Sequence, residues 1–303
     1  MKKYVLFIIL FVLGLQTVFA QEEETKEKDK PVRSPFESGY LIDNQTTLVP
    51  VEGTLEYVIQ HKFGTMSNGM TDLYGIYSPG ANIRLGLNYV PIKNVQVGIG
   101  ATKKNKYTDL NAKWTILEQT RENTIPIAVS LYGMVAVDGR NESLFGSGKI
   151  VDTKGPTLPT QIAFNDRLSY FSQIIIGRKF TDWLSLQAAA SFTHYNMVGW
   201  EYDHDKIAVH FNGRIKFSPQ TSFIFNYDIP LKIKDISEQW EWTDHPKPNL
   251  AFGVEISTST HAFQIYAGTA DGIIPQDMVM WNLNDWKDKG LAIGMTITRL
   301  WNF

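Results

Sequence analysis

Residues 201–205 read EYDHD, and His204 between Asp203 and Asp205 could bind a metal. A histidine in an acidic loop is more often simply solvated, so no metal is assigned. His245 follows Asp244 in a similar setting. His61 and His194 stand at depths that would suit a Ser–His pair on the outer wall of a barrel lipase, but no serine partner can be identified for either. Trp200, Trp240, Trp242, Trp281 and Trp286 fall in connecting segments. Such rings stack on sugars or clamp other ligands; packing over neighbouring loops is their plainer use. No Walker loop, HExxH, GxSxG or EF-hand loop is present. Cysteine is absent, which excludes a disulfide framework, a thiolate metal site, a catalytic Cys and a lipidated N-terminal Cys. No catalytic residue and no cofactor is expected.

The remaining chemistry is charge, and it is balanced. The 303 residues carry 29 Lys and Arg against 31 Asp and Glu, a formal net charge of -2. A nucleic-acid partner usually shows as a basic excess, so none is expected. The question becomes which elements present these charges.

The first twenty residues are an address rather than an element. Lys2 and Lys3 precede an apolar run from Val5 to Leu15, and Val18-Phe19-Ala20 offers small residues where a signal peptidase reads. A secretory signal peptide over 1–20 is expected. The stretch after it, QEEETKEKDK, is too charged to bury apolar surface and should be a solvated tail. No segment reaches the roughly 18 apolar residues of a spanning helix.

From Thr54 onward the hydrophobic period is two. In GANIRLGLNYV, residues Ala81, Ile83, Leu85, Leu87 and Tyr89 share one face, while Asn82, Arg84, Gly86 and Asn88 share the other. A strand separates these sets; a helix would scatter them. The pattern predicts strands over 54–63, 80–90, 95–104, 107–118, 125–137, 166–177, 183–194, 206–217, 222–231, 249–257, 261–269 and 289–303. In 166–177 the run Ile174-Ile175-Ile176 leaves the facing ambiguous.

One face of these strands is continuously apolar and the other is rich in Gly, Ser, Thr, Asn, Gln and charge. Each strand has about ten residues, the length that crosses a bilayer at a tilt. The connections alternate between short and long, except for a short one near Lys103–Lys106. Short turns at one end and long loops at the other are the habit of outer-membrane barrels. The expectation is an all-β, transmembrane, antiparallel up-and-down β-barrel of about twelve strands over 54–303. An even strand count puts both termini on one side, in the periplasm. A soluble double-sheet fold is the alternative. The last strand places Leu291, Ile293, Met295, Ile297, Trp301 and Phe303 on one face, ending on an aromatic residue. Trp301 and Phe303 are therefore similar to the signal read by outer-membrane assembly machinery.

The segments SPFESGYLIDNQT, EYVIQHKFG, DLYGIYSPGANIRLGLNY and TADGIIPQ resemble those of a porin-like outer-membrane β-barrel family of unknown function. The resemblance covers about residues 32–303. It implies the fold and location already argued and brings no catalytic or binding residues. Residues 21–53 would be a periplasmic tail, within which Phe36 to Asn44 would fold against the periplasmic mouth or into the lumen.

The inward face is predicted to carry Lys62, Arg84, Lys113, Arg214 and Lys216 against Glu56, Asp109, Asp228 and Glu255. Buried unpaired, these charges would be costly, so they either face water or pair. Twelve strands enclose more than eight and less than sixteen. A narrow channel or transporter for small solutes is expected in the outer membrane, with lipid and the assembly machinery as its partners. The alternative is a non-conducting scaffold that binds through its external loops; His204, His245 and the five loop tryptophans are the ligand candidates there. No partner protein is indicated.

Overall fold

In the computed structural model the described residues are 29–142, 162–199, 202–234, 236 and 245–303. The expected signal peptide and tail residues 21–28 lie outside them, as do Trp200, Trp240 and Trp242. A small hairpin comes first, β1 (Tyr40–Leu41) with β2 (Asn44–Gln45). Twelve antiparallel strands follow and close on themselves. They are β3 (Thr54–Thr65), β4 (Asn82–Ile92), β5 (Val95–Thr102), β6 (Thr108–Leu117), β7 (Ala128–Val137) and β8 (Leu168–Lys179). The rest are β9 (Leu184–Tyr195), β10 (Asp205–Lys216), β11 (Thr221–Pro230), β12 (Asn249–Ser257), β13 (His261–Gly268) and β14 (Ala292–Asn302). One short helix, α1 (Pro275–Met280), lies between β13 and β14.

The seam is a full ladder: β14 pairs with β3 from Asn302↔Thr54 to Ala292↔Thr65. Closure leaves no edge strand with unpaired N–H and C=O groups. The alternation sorts the side chains as the pattern predicts. Arg84 and Asn88 are buried, while Leu85, Leu87 and Tyr89 between and beside them are exposed. Leu110 and Ile265 are 63% and 64% exposed and belong to an apolar outer band. A soluble monomer seldom shows so extensive an apolar surface. The ambiguity in β8 is resolved by packing. Ile175 points inward into an apolar cluster, and Ile174 and Ile176 point out.

The turns beside the chain termini are short apart from the link between β6 and β7, and most connections at the opposite, distal end are long. The short distal link between β5 and β6 is tight because Asn105 and Lys106 both adopt positive φ (53° and 49°). Its Asn105 carbonyl accepts from Gly139 N at 3.1 Å.

Candidate functional site: a lumen filled from both ends

The inward residues of the barrel do not face open water. The segment around the β1–β2 hairpin runs into the lumen from the terminus end. Phe36, Leu41 and Ile42 pack there against Ile224, Ala251 and Tyr266 of the wall. The hairpin does not join the barrel ladder; wall side chains satisfy its backbone instead. Gln264 accepts from Ile42 N at 2.7 Å and donates to the Tyr40 carbonyl at 2.9 Å. Asn226 donates to the Leu41 carbonyl, Thr296 to that of Ile42, Gln187 to that of Gln45 and Thr115 to that of Thr47, all within 3.1 Å.

Each predicted inward charge can now be placed. Lys62 pairs with Asp43 at the hairpin tip at 2.7 Å. It also donates to the carbonyls of Ala270 (2.8 Å) and Gly272 (2.6 Å), in the β13–β14 loop. Arg84 holds Asp109 through two nitrogens, Nε at 2.8 Å and Nη2 at 2.7 Å, and reaches Gln60 with Nη1. Lys113 donates to Gln45 Oε1 (3.1 Å) and the Gly39 carbonyl. Glu56 accepts from Asn88 and Gln96. Arg214 and Lys216 converge on Glu37, at 2.7 and 3.2 Å. Glu255 accepts from Gln264 at 2.7 Å. Lys62, Arg84, Asp109, Arg214, Lys216 and Asp228 thus have a carboxylate, cationic or histidine partner, with Glu37 and Asp43 of the inserted segment supplying two of these, while Lys113, Glu56 and Glu255 are held by uncharged hydrogen-bonding groups.

Asp228 is a hub. It accepts from Asn44 of the hairpin at 2.7 Å, from Asn249 at 2.8 Å, and meets His210 Nδ1 at 2.8 Å. His210 Nε2 lies 2.8 Å from Ser191 Oγ. A Ser–His–Asp chain therefore exists on the inner wall of β9, β10 and β11, buried beneath the hairpin. His61 and His194, the histidines considered for an outer-wall pair, take no part in it. His210 was legible in the sequence only as a polar-face residue, because its partners come from three different strands. Lys206, also inward, pairs with Asp203 at 3.1 Å.

The distal end is closed by the β13–β14 loop. Ile274 and Val279 of this loop pack against inward residues of β7 to β10. Asp277 on α1 accepts from the hydroxyls of Tyr107 and Tyr195, each at 3.0 Å. Burial pushes its carboxyl up, against the opposing effects of Lys104 and the two hydroxyls. Between the hairpin and α1 remains a void of about 10 Å³, bordered by Tyr40, Asp43, Arg84, Phe171 and Ile274. That is room for about one water.

Of the loop candidates among the described residues, Trp281 and His204 both meet Tyr195, while Trp286 and His245 have other partners. Trp281 packs edge-on against Tyr195 and Tyr202, with ring centroids 5.1 and 4.7 Å away. With them it borders a distal cavity of about 260 Å³. Trp286 is exposed beside Lys287. His204 Nδ1 turns to the Tyr195 carbonyl at 2.7 Å, and His245 Nε2 lies 3.2 Å from that of Pro230. Trp301 lies under the Arg299 guanidinium, 4.7 Å from its ring centroid, and Phe303 is 91% exposed.

The fold is similar to solved outer-membrane proteins at low identity. An outer membrane channel from Pseudomonas putida F1 is 10% identical with a TM-score of 0.48, over 84% of this chain and 97% of that one. A KdgM porin is 8% identical with a TM-score of 0.42, over 82% and 99%. The Pseudomonas putida toluene transporter TodX is 8% identical with a TM-score of 0.37, over 85% and 91%. No curated protein matches the chain. The model of a family described as a membrane bound beta barrel domain (DUF5777) matches residues 36–301. With its closed ladder, apolar outer band and filled lumen, the chain belongs to this DUF5777 family of membrane-bound β-barrels.

Proposed function

We propose that this protein is a gated channel for small solutes in the outer membrane, with the segment 36–47 as its plug. In this reading residues 1–20 are a cleaved signal peptide. Residues 21–53 enter from the periplasm, where both termini lie, and 54–303 form the barrel. The observation that carries the reading is how the hairpin is held. Its contacts to the wall run through side chains such as Gln264, Asn226, Gln187 and Lys62, whereas the wall is held by its own backbone ladder. The hairpin can therefore leave without breaking the barrel. Most of the wall groups it uncovers, such as Lys62, Gln187, Asn226 and Gln264, are polar or charged and are readily hydrated; Ile224, Ala251 and Tyr266 are the apolar exceptions.

Only a void of about 10 Å³ is left between hairpin and α1. It favours a second reading, a non-conducting barrel that works through its loops. Planar-bilayer recording separates the two. The full chain should be mostly silent with rare openings. Removal of residues 36–47 should give sustained openings in protein that still migrates as a folded barrel. Silence of that folded deletion protein, and of a folded one in which the distal closure at 273–281 is removed as well, would reject the channel and leave the scaffold.

A further inference from the structure

The polarity of the inner wall is uneven. Inward charges sit on β3, β4, β6, β10, β11 and β12, at Lys62, Arg84, Asp109, Lys113, Arg214, Asp228 and Glu255 among others. The inward positions of β7 to β9, from Ala128 to Ala136, Ser169 to Gly177 and Ser185 to Tyr195, carry no charge. An apolar strip runs there instead, through Tyr132, Met134, Phe171, Ile175 and Ala189. Met134 stands opposite Phe171, and Ile175 opposite Ala189; inward Gln173 separates the two pairs along β8, and Tyr132, edge-on to Phe171, carries the strip past it. Barrel interiors are ordinarily polar.

The strip continues upward through consecutive residues of α1. Val279 belongs to the strip's cluster, and Met280 to the next one, with Tyr195, Val198, Tyr202 and Trp281. Those rings form one side of the distal cavity of about 260 Å³. An apolar cavity of roughly 150 Å³ already holds benzene. The charged residues on the cavity's other side include two that are neutralised locally, Arg140 by Asp138 at 2.6 Å and Lys104 by Asp271 at 3.4 Å. Little net charge is left to favour an ion.

We infer that the solutes of this channel are small apolar molecules of one or two aromatic rings, taken up at the cavity beside Trp281 and passed along the strip of β7 to β9 when α1 lifts. This rests on the channel reading and names its cargo. The ring-lined side of the mouth cavity, Val279 and Met280 of the helix, and the strip form one apolar track. Its cover, Ile274 and Val279, is apolar as well, so a passing ring exchanges one dry contact for another, while lifting α1 costs the Asp277–Lys104 pair and the two tyrosine hydrogen bonds.

The test uses cells of a Gram-negative host with an intact outer membrane, expressing the full chain, and the fluorescent probe 1-N-phenylnaphthylamine. Probe uptake should exceed that of cells without the protein. Phe171→Asn places an amide on the strip and should slow uptake roughly tenfold, the factor expected from an unpaired polar group on a dry path. Val279→Ser lies on the cover rather than the wall and should speed uptake, which keeps the test alive if the wall variant fails to fold. Uptake equal to that of protein-free cells, for both the parent and Val279→Ser, would overturn the inference. If the ion current of the hairpin deletion persists in that case, the channel stands with another cargo. If current is missing even from folded protein lacking both closures, the channel reading falls with it.

Discussion

Lys62 Nζ lies 2.7 Å from Asp43 Oδ2, with both side chains almost fully buried. The same ammonium donates to the Ala270 and Gly272 carbonyls. A single wall residue thus ties the hairpin that enters from one end to the loop that closes the other. Because the two inserts share one cation, release of one weakens the hold on the other.

Lys62→Met strands Asp43 in a buried site. Losing one partner of a buried pair costs about 3–5 kcal/mol. The expected result is frequent channel opening in planar bilayers. Asp43→Leu added to Lys62→Met removes the stranded charge and should restore closure. Equal gating in the parent and the single variant would show that this pair does not hold the plug.

Arg84 and Asp109 provide the contrast. Their bidentate pair joins β4 to β6 across β5, and the further partner of Arg84, Gln60, is also on the wall. Arg84→Met should lower the urea midpoint of unfolding by an amount equivalent to about 3–5 kcal/mol. It should leave the opening frequency near that of the parent. Raised opening with unchanged unfolding would reverse the roles assigned to the two pairs.

The difference between wall and plug also explains what could be read from the sequence. All twelve wall strands were legible, because lipid on one side and lumen on the other impose a two-residue period over nearly every strand. The period fails where it lacks contrast: Ile174-Ile175-Ile176 needed the inner cluster to set its facing. The same period puts the nine charges on the polar face, but it says nothing of their partners. Asp43 and Glu37 lie on an insert whose strands are two residues long, too short to show any period. The apolar inward residues Met134 and Phe171 were also hidden, because an inward apolar residue looks like any other until its register is known.

Asp277 makes the distal closure sensitive to pH. Burial raises its carboxyl pKa. Such a group contributes stability that is fully present below its unfolded value, near about 3.9, and is lost as pH rises through the folded value. The α1 closure should therefore be tighter at pH 4 than at pH 7. Acrylamide quenching of the Trp281 contribution, taken as the difference from Trp281→Phe, should fall on acidification. Asp277→Asn should abolish this dependence. A dependence that survives Asp277→Asn would assign the titration to another group.

The C-terminal aromatic separates assembly from stability. Phe303 is 91% exposed, so its ring contributes little to packing. Trp301 is different: it is partly buried, stands opposite Leu55 in the seam and carries the Arg299 guanidinium over its ring. If the terminal ring is a recognition signal, deletion of Phe303 should reduce the amount of folded barrel recovered from outer membranes. The unfolding midpoint of the recovered fraction should be unchanged. Trp301→Ala should lower that midpoint, because truncating a packed indole removes apolar contact and a cation–π pair. A Phe303 deletion that lowers the midpoint and leaves the yield intact would mean that the ring serves the seam rather than the assembly machinery. Heat-modified migration on a gel measures yield and folding in the same lane, so one experiment decides between the two roles.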